Sequence, residues 1–253
     1  MSAFNWLARG CDLLADRAAW RYLLRTSKPS FASYRMCRAV RALVDGPLST
    51  IVDVGANQGQ FAGAAAWWFP NCRIISFEPS PRMLPILRKN TKRLSNIELV
   101  AKALGDREGE LEFFENAHSH ASSALVVNET QVKLYGKTAN FKKIMVPVTT
   151  LDGFMADRAT PGPILLKLDI QGFEKRALQG GRKFLQCVDF LLFECSFRAL
   201  YCDEPLFAEL YAYADELGFQ LVAPVGLLAD ENNVILQADL LWSRKVPKCA
   251  PFL

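Results

Sequence analysis

The sequence predicts an α/β protein with a doubly wound, mostly parallel sheet, and three features carry this prediction. From residue 51 onward, short apolar runs of strand length alternate with stretches of helical periodicity, as in sheets covered by helices on both faces. The first apolar run ends in a turn that contains Gly55 and Gly59 and passes directly into a helix. The last two predicted strands lack a helix-length connection, so we expect an antiparallel pair at the sheet edge.

The individual elements follow from local composition and periodicity. Apolar runs predict core strands over residues 51–54, 73–77, 97–101, 164–168, 188–194, 219–223 and 235–242. Helical spacing predicts a helix through Phe61, Ala65 and Trp68, and a second helix over residues 81–93. Two further strands, 111–115 and 144–148, are expected to flank a long polar segment.

The first fifty residues differ in charge from the rest of the chain. They contain eight Lys and Arg and three Asp, which gives this segment a net charge of +5. Because the whole chain has a net charge of +4, the remaining residues carry a net charge of −1. Apolar residues from Phe4 to Ala19 recur at helical spacing, residues 28–30 break this helix, and residues 34–44 form a second one. The segment is either a helical cap on the domain or a docking surface for an anionic acceptor, a membrane or nucleic acid. The arginines are spread over several faces, which favours the cap.

Composition favours one domain with a substantial core. The chain has 253 residues, of which 51% are hydrophobic and 22% charged, and no apolar run approaches the roughly 18 residues that span a bilayer. Charged residues at positions 9, 12 and 16 interrupt what would otherwise resemble a secretion signal. Seven cysteines without a C-x-x-C pair predict free thiols and a cytoplasmic location. We expect a helical extension over 1–47, a domain over 48–246 and a tail over 247–253.

The turn after the first strand has the features of a cofactor site. Gly55 and Gly59 permit a sharp turn and close approach of a ligand, and the amide groups of the following helix face that ligand. Asp53 lies at the strand end, where a carboxylate repels phosphate and favours a cation. Glu78 ends the second strand, nineteen residues after Gly59, where it can accept hydrogen bonds from ribose hydroxyls. The alternative for Glu78 is a solvated loop residue.

The order of several motifs resembles the FkbM-type methyltransferases. The matching segments are Asp53–Gly59, Phe77–Pro79, Ala103–Asp106, Ser122–Ser123, Leu151–Asp152, Lys167–Glu174 and Gln237–Asp239. The segment Lys167–Glu174 is the most specific of them, and the resemblance covers residues 48–245. It implies a seven-stranded Rossmann-like methyltransferase sheet, S-adenosylmethionine as the cofactor, and O-methylation of a sugar, polyketide or glycan hydroxyl.

The resemblance also implies which residues bind the cofactor. Asp106 is placed after the third strand, where it would accept a hydrogen bond from the adenine amine. The complete set of expected cofactor-binding residues is Asp53, Gly55, Asn57, Gly59, Phe61, Glu78, Pro79, Leu104, Asp106, Ser123 and Asp169.

Methyl transfer to a hydroxyl requires positioning and the removal of a proton. Asp169, at the end of the 164–168 strand, Lys167 and His118 are assigned to catalysis, and His120 is a further candidate base. For Asp169, the alternative to a catalytic role is a structural one, a hydrogen bond within its own loop. For Glu174, a catalytic role and a stabilising charge at the helix N-terminus are both open. The polar segment 116–143 is expected to form a mobile lid.

A metal shared by Asp169 and Glu194 is geometrically allowed, but the sequence has no dedicated set of oxygen ligands, so no metal is predicted. Phe173 replaces an alanine frequent in the family, which affects the size of the acceptor pocket.

Other classes of function fit the sequence less well. A nicotinamide oxidoreductase would have a glycine where Asn57 stands, and Asp53 would face its pyrophosphate. A nucleic-acid methyltransferase would show a polar-Pro-Pro-aromatic loop and a basic domain, whereas Asp169 is followed by Ile-Gln-Gly in a slightly acidic domain. Nucleic acid is therefore not an expected partner, although the basic helices leave peripheral membrane contact open. A catalytically inactive binding module is the remaining alternative.

Overall fold

The computed structural model describes residues 16–134 and 136–245 of the chain. Most of the predicted first helix and the tail over 247–253 lie outside these residues. The α-helices in the described part are α1 (Arg17–Arg25), α2 (Phe31–Leu43), α3 (Gln60–Trp68), α4 (Leu84–Thr91), α5 (Glu129–Leu134), α6 (Leu151–Met155), α7 (Glu174–Gln179) and α8 (Phe207–Glu216). None of the helices described is long and apolar enough to cross a membrane.

The ten strands form a large sheet and a small one. They are β1 (Thr50–Val54), β2 (Arg73–Phe77), β3 (Ile97–Val100), β4 (Ala103–Leu104), β5 (Gly109–Asn116), β6 (Phe141–Thr149), β7 (Ile164–Leu168), β8 (Phe190–Ser196), β9 (Phe219–Ala229) and β10 (Ile235–Arg244). The large sheet has the order β3-β2-β1-β7-β8-β10-β9, and only β10 runs antiparallel to its neighbours. The predicted doubly wound sheet with an antiparallel edge pair is confirmed.

The strand order reverses direction at β1, and this creates the crevice for a ligand. The chain winds outward from β1 through β2 to β3 and then returns to place β7 on the other side of β1. The turns after β1 and β7 therefore separate at the carboxyl ends of the strands, where α/β sheets bind their ligands.

The small sheet follows the order β4-β6-β5, and β5 and β6 pair in the antiparallel direction. The two extra strands predicted from the sequence are thus present, and both are longer than expected. Between them the polar segment contains α5 and two 3₁₀ helices, Ser119–Ala121 and Gly136–Ala139. These three short helices were not predicted, because elements this short leave little periodicity in a sequence. Its mobility as a lid stays a prediction.

The N-terminal helices pack on one face of the large sheet. Tyr22 of α1 and Tyr34 of α2 are fully buried with ring centroids 5.0 Å apart, and Tyr34 lies 5.2 Å from Trp68 of α3. The hydroxyl of Tyr34 donates a hydrogen bond of 2.9 Å to Asp16, which also caps α1. Since these rings are anchored in the same apolar cluster as Ile51 of β1, α1 and α2 form a cap on the sheet.

Candidate functional site

A cavity of about 250 Å³ opens at the carboxyl ends of β1, β2, β7 and β8. Its wall consists of the turns after these strands, the first residues of α2 and part of the segment between β5 and β6. The predicted site residues that line it are Gly55, Asn57, Phe61, Glu78, Pro79, Leu104, Lys167 and Asp169. The predicted site residues outside its wall are Asp53, Gly59, Asp106, Ser123 and His118.

The glycines of the first turn allow close packing of the backbone. Gly55 and Gly59 have φ values of 83° and 86°, in the left-handed region that glycine adopts without strain. A Cβ atom on Gly55 would lie 2.0 Å from the carbonyl oxygen of Asp169, and one on Gly59 would lie 2.9 Å from Leu87. From the sequence, both glycines are expected to permit close approach of a ligand. The structure shows that each is required by a contact within the protein.

The end of β2 supports the turn after β1 through Glu78. One carboxylate oxygen of Glu78 accepts a hydrogen bond from the backbone of Asn57 at 2.7 Å, and the other accepts from Ser80 at 2.8 Å. Burial raises the pKa of Glu78 to about 7. The side-chain oxygen of Asn57 is buried without a hydrogen-bond partner. Because buried acceptors are nearly always satisfied, this atom marks a position where a ligand would donate a hydrogen bond.

A buried ion pair lies beneath the cavity. In-register pairing of β1 with β7 and β2 places Asp53 between Lys167 and Ser76. The Nζ atom of Lys167 lies 3.2 Å from one carboxylate oxygen of Asp53, and Ser76 donates to the other at 3.2 Å. Burial opposes the charge of Lys167, but the carboxylates of Asp53 and Asp169 outweigh it, so its pKa is raised. The cation expected beside Asp53 is therefore an ammonium group of the chain itself, and Asp53 does not face the cavity.

Asp169 extends into the cavity from the turn after β7 and is held by Gln171. The amide nitrogen of Gln171 donates to Asp169 at 2.8 Å and to Glu194 at 3.0 Å, while its oxygen accepts from the Tyr201 hydroxyl at 2.8 Å. Lys167 lies 3.5 Å from the second oxygen of Asp169, whose side chain is 38% exposed. The loop contact considered as an alternative for Asp169 thus exists, and it orients the carboxylate while leaving it accessible.

Gln171 was not among the predicted site residues. Its φ of 57° is a conformation that non-glycine residues rarely adopt, and its side chain joins three others in one network. The signal that points to it is its place in the most specific motif, Lys167–Glu174. Tyr201 has no comparable signal, because it reaches the site from a loop thirty residues away.

The far side of the network consists of two partly buried acids on adjacent strands. Glu194 of β8 and Asp239 of β10 are register partners, and Gln237 donates to Glu194 at 2.9 Å. Burial raises the pKa of Glu194 well above its usual value and that of Asp239 to about 7, with Asp169 adding to both shifts. Among residues 16–134 and 136–245, no group of three or more His, Cys, Asp or Glu side chains is placed to hold a metal ion.

Of the two histidines, the structure places His120 at the cavity. The ring nitrogen Nε2 of His120 lies 3.4 Å from the side-chain nitrogen of Gln60. Both histidines are exposed, but only His120 lines the cavity. Desolvation lowers the pKa of His120, so its ring is largely neutral at neutral pH and able to accept a proton. The geometry therefore favours His120 over the predicted His118 as a base in the lid.

Two predicted cofactor ligands instead contact neighbouring parts of the chain. Asp106 forms an ion pair of 3.5 Å with Arg176 of α7 and lies away from the cavity. The hydroxyl of Ser123 donates to the backbone of Gln171 at 2.7 Å and accepts from Leu125 at 2.9 Å. Ser123 thus ties the segment between β5 and β6 to the turn that carries Asp169. A cofactor contact by Asp106 or Ser123 stays a prediction that this geometry does not support.

The effect of burial on a carboxylate pKa near the site can be tested at Glu174. It is the first residue of α7, is fully buried, and accepts a hydrogen bond of 2.9 Å from the backbone of Ile170. Burial raises its pKa to about 8, above the 4.5 of an exposed glutamate. The folded protein therefore holds a proton that the unfolded chain releases, and the stability that this proton provides is lost as the pH rises towards 8.

Glu174→Gln is expected to weaken this pH dependence, since glutamine keeps the acceptor oxygen and does not ionise. Relative to this variant, the wild-type protein should lose about 2–3 kcal/mol of unfolding free energy between about pH 5 and pH 7, as measured by urea denaturation. Exposed Glu110 gives the matched control, Glu110→Gln, which should follow the wild-type curve. Parallel curves for Glu174→Gln and the wild type would contradict the burial effect.

Comparisons with known proteins show which family this chain resembles. The family model of the methyltransferase FkbM domain matches residues 53–221. The 2-O-methyltransferase NoeI of Sinorhizobium fredii (strain NBRC 101917 / NGR234) is 28% identical over 246 residues, which cover 94% of this chain and 98% of that protein.

Solved structures of methyltransferases align with most of the chain at low identity. M. capricolum TrmK in complex with S-adenosylhomocysteine aligns with a TM-score of 0.48 and 9% identity over 85% of this chain and 68% of that one. Burkholderia thailandensis 1,6-didemethyltoxoflavin-N1-methyltransferase gives a TM-score of 0.48 and 10% identity over 97% and 92% of the two chains. Because the family model spans most of the chain, from Asp53 in β1 to Leu221 in β9, the protein belongs to the FkbM-domain methyltransferases.

Proposed function

We propose that the protein uses S-adenosylmethionine to methylate a hydroxyl oxygen of a small molecule or glycan. The observation that carries this proposal is Asp169, an oriented and accessible carboxylate at the cavity where β1 and β7 separate. The methyltransferase family supplies the reaction class. A relative described as a 2-O-methyltransferase supports oxygen as the acceptor atom.

The residues of the cavity fit this cofactor. Glu78 keeps lone pairs for ribose hydroxyls beyond its two backbone partners, and the unsatisfied oxygen of Asn57 is suited to a donor group of the ligand. The carboxylates of Asp53 and Asp169 against the single ammonium of Lys167 leave the floor of the cavity negative, which favours a cationic ligand. When bound, the cofactor supplies a methyl group on a positively charged sulfur.

The chain then has to position the acceptor and take its proton. Asp169 can accept the proton of a hydroxyl, and its hydrogen bond from Gln171 limits the carboxylate to one orientation. Transfer to oxygen is an in-line displacement, so a fixed carboxylate that orients the hydroxyl contributes through positioning as well as proton transfer. His120 at the cavity edge is the competing base, and the variants described in the Discussion separate the two.

Ligand binding distinguishes the proposal from the other classes of function. Isothermal titration should show binding of S-adenosylhomocysteine and no binding of NAD or of a short RNA to the cavity. Binding of NAD in place of S-adenosylhomocysteine would overturn the methyltransferase mechanism for this chain. Cofactor binding without methyl transfer to any hydroxyl-bearing metabolite extract would identify an inactive binding module.

The contribution of Glu78 to cofactor binding can be measured separately. Glu78→Gln is expected to weaken the binding of S-adenosylhomocysteine by about 1.5–3 kcal/mol, the range for a hydrogen bond to a charged group. The substitution keeps the shape of the side chain, but it replaces one oxygen that accepts from Asn57 or Ser80 by an NH2 group, so thermal melting has to verify the fold. Glu231→Gln, in an exposed turn remote from the cavity, is the control. An unchanged dissociation constant in Glu78→Gln would remove Glu78 from the cofactor site.

A further inference from the structure

The outward side of α1 combines apolar and basic side chains. Leu24 is 86% exposed and Trp20 46% exposed, and both lie on the side opposite the buried Tyr22. The exposed residues Arg17, Arg21 and Arg25 recur on the same side at helical spacing. Phe31, the first residue of α2, is 41% exposed. We refer to the set Arg17, Trp20, Arg21, Leu24, Arg25 and Phe31 as the outer α1 face.

This face carries a positive charge that nearby acids do not neutralise. Residues 17–44 contain seven Lys and Arg and no Asp or Glu. The preceding acid, Asp16, forms an ion pair of 3.3 Å with Arg38 and caps the N-terminus of α1. Within the part of the chain that the structure describes, Arg17, Arg21 and Arg25 form no ion pair. Their charge is therefore available to an external anionic partner.

The outer α1 face borders the mouth of the cavity. The backbone of Ser30 donates a hydrogen bond of 3.0 Å to the hydroxyl of Tyr22, which fixes the link between α1 and α2. Ser30, Ser33 and Met36 then line the cavity itself. A surface that holds this face would thus lie next to the opening through which an acceptor enters.

We propose that the outer α1 face docks on the surface of an anionic lipid bilayer. A bilayer interface presents phosphates above an apolar layer, so it can take up the arginines and the side chains of Leu24 and Phe31 at the same time. Nucleic acid also presents phosphates, but it has no apolar layer in which the side chain of Leu24 could be buried. The inward side of α1 is already packed on the domain, so docking requires no rearrangement of the cap.

Vesicle flotation of the full chain tests this proposal. The protein is expected to float with vesicles of phosphatidylcholine containing about one third phosphatidylglycerol, and to be released by salt because the Debye length shrinks to about 3 Å near 1 M. It should bind vesicles of phosphatidylcholine alone far less. Arg21→Gln with Arg25→Gln should lower the partition coefficient about 20–30-fold, since each basic side chain near such a surface contributes about fivefold.

Matched variants separate docking from general effects of charge and hydrophobicity. Leu24→Ser should lower the partition coefficient about tenfold, whereas Leu227→Ser, at a 50% exposed position on β9, should leave it unchanged. Arg88→Gln with Lys89→Gln removes two exposed charges from α4 and is the charge control. Titration with S-adenosylhomocysteine verifies that each variant keeps its fold, because none of these residues lines the cavity.

Three results would overturn the proposal. The first is an absence of flotation with anionic vesicles. The second is equal binding by the wild type and the Arg21→Gln, Arg25→Gln variant. The third is binding of a short RNA that this double variant abolishes while vesicles stay unbound, which would assign the outer α1 face to nucleic acid.

Discussion

Asp169→Asn is expected to lower kcat by about 10²–10⁴ while the affinity for S-adenosylhomocysteine stays within several-fold of the wild type. The substitution keeps the oxygen that accepts from Gln171 and removes the negative charge, and with it the ability to take a proton and the ion pair with Lys167. Asp169 is partly exposed and its backbone amide pairs with Val54, so the loop geometry should survive. The loss would therefore reflect the chemical step.

The measurement is single-turnover transfer of a labelled methyl group to hydroxyl-bearing metabolites or glycans from the source cells. His120→Ala and His118→Ala are the comparison variants, since both histidines belong to the segment between β5 and β6. If Asp169→Asn transfers methyl groups at the wild-type rate and His120→Ala does not, the base is His120 and the role of Asp169 is wrong.

Lys167→Met is expected to destabilise the protein by about 3–5 kcal/mol, because it leaves the fully buried carboxylate of Asp53 without its cation. The ammonium of Lys167 lies 3.2 Å from Asp53, and the two side chains are only 4% and 0% exposed. Ser76 alone, at 3.2 Å, cannot replace the lost charge. Urea denaturation at neutral pH measures the change in unfolding free energy.

Two further variants test the origin of this loss. Asp53→Asn combined with Lys167→Met should recover most of the stability, because neither side chain is then an unpaired buried charge. Lys245→Met breaks the exposed pair with Asp215 and should cost less than about 1 kcal/mol, as is usual at surfaces. Equal losses for Lys167→Met and Lys245→Met would contradict the importance of the buried pair.

The sequence predicted the elements whose signals are local. Apolar runs identified the seven strands of the large sheet, and the missing crossover before β10 identified its antiparallel pairing with β9. The glycine turn after β1 and the position of Glu78 were also readable, because strand, turn and helix are contiguous there. Short elements such as β4 and α5 were not predicted, because two to six residues carry too little periodicity.

The partners of the charged residues could not be read in the same way. Asp53 and Lys167 are more than a hundred positions apart, and only the parallel register of β1 with β7 shows that they neutralise each other. The packing of the chain also brings Asp106 into an ion pair with Arg176. It places His120, rather than His118, at the cavity. Gln171 and Tyr201 meet only because the loop after β8 folds back over the turn after β7.

The sequence by itself determined the fold class, the family and the location of the glycine turn at the cavity, because hydrophobic periodicity and glycine positions act over a few residues. Only the tertiary structure decided which acid faces the cavity, which acid is buried in an ion pair, and which side of α1 remains exposed. These properties depend on contacts between distant segments. Strand register and side-chain packing set them, and neither is encoded in a local pattern.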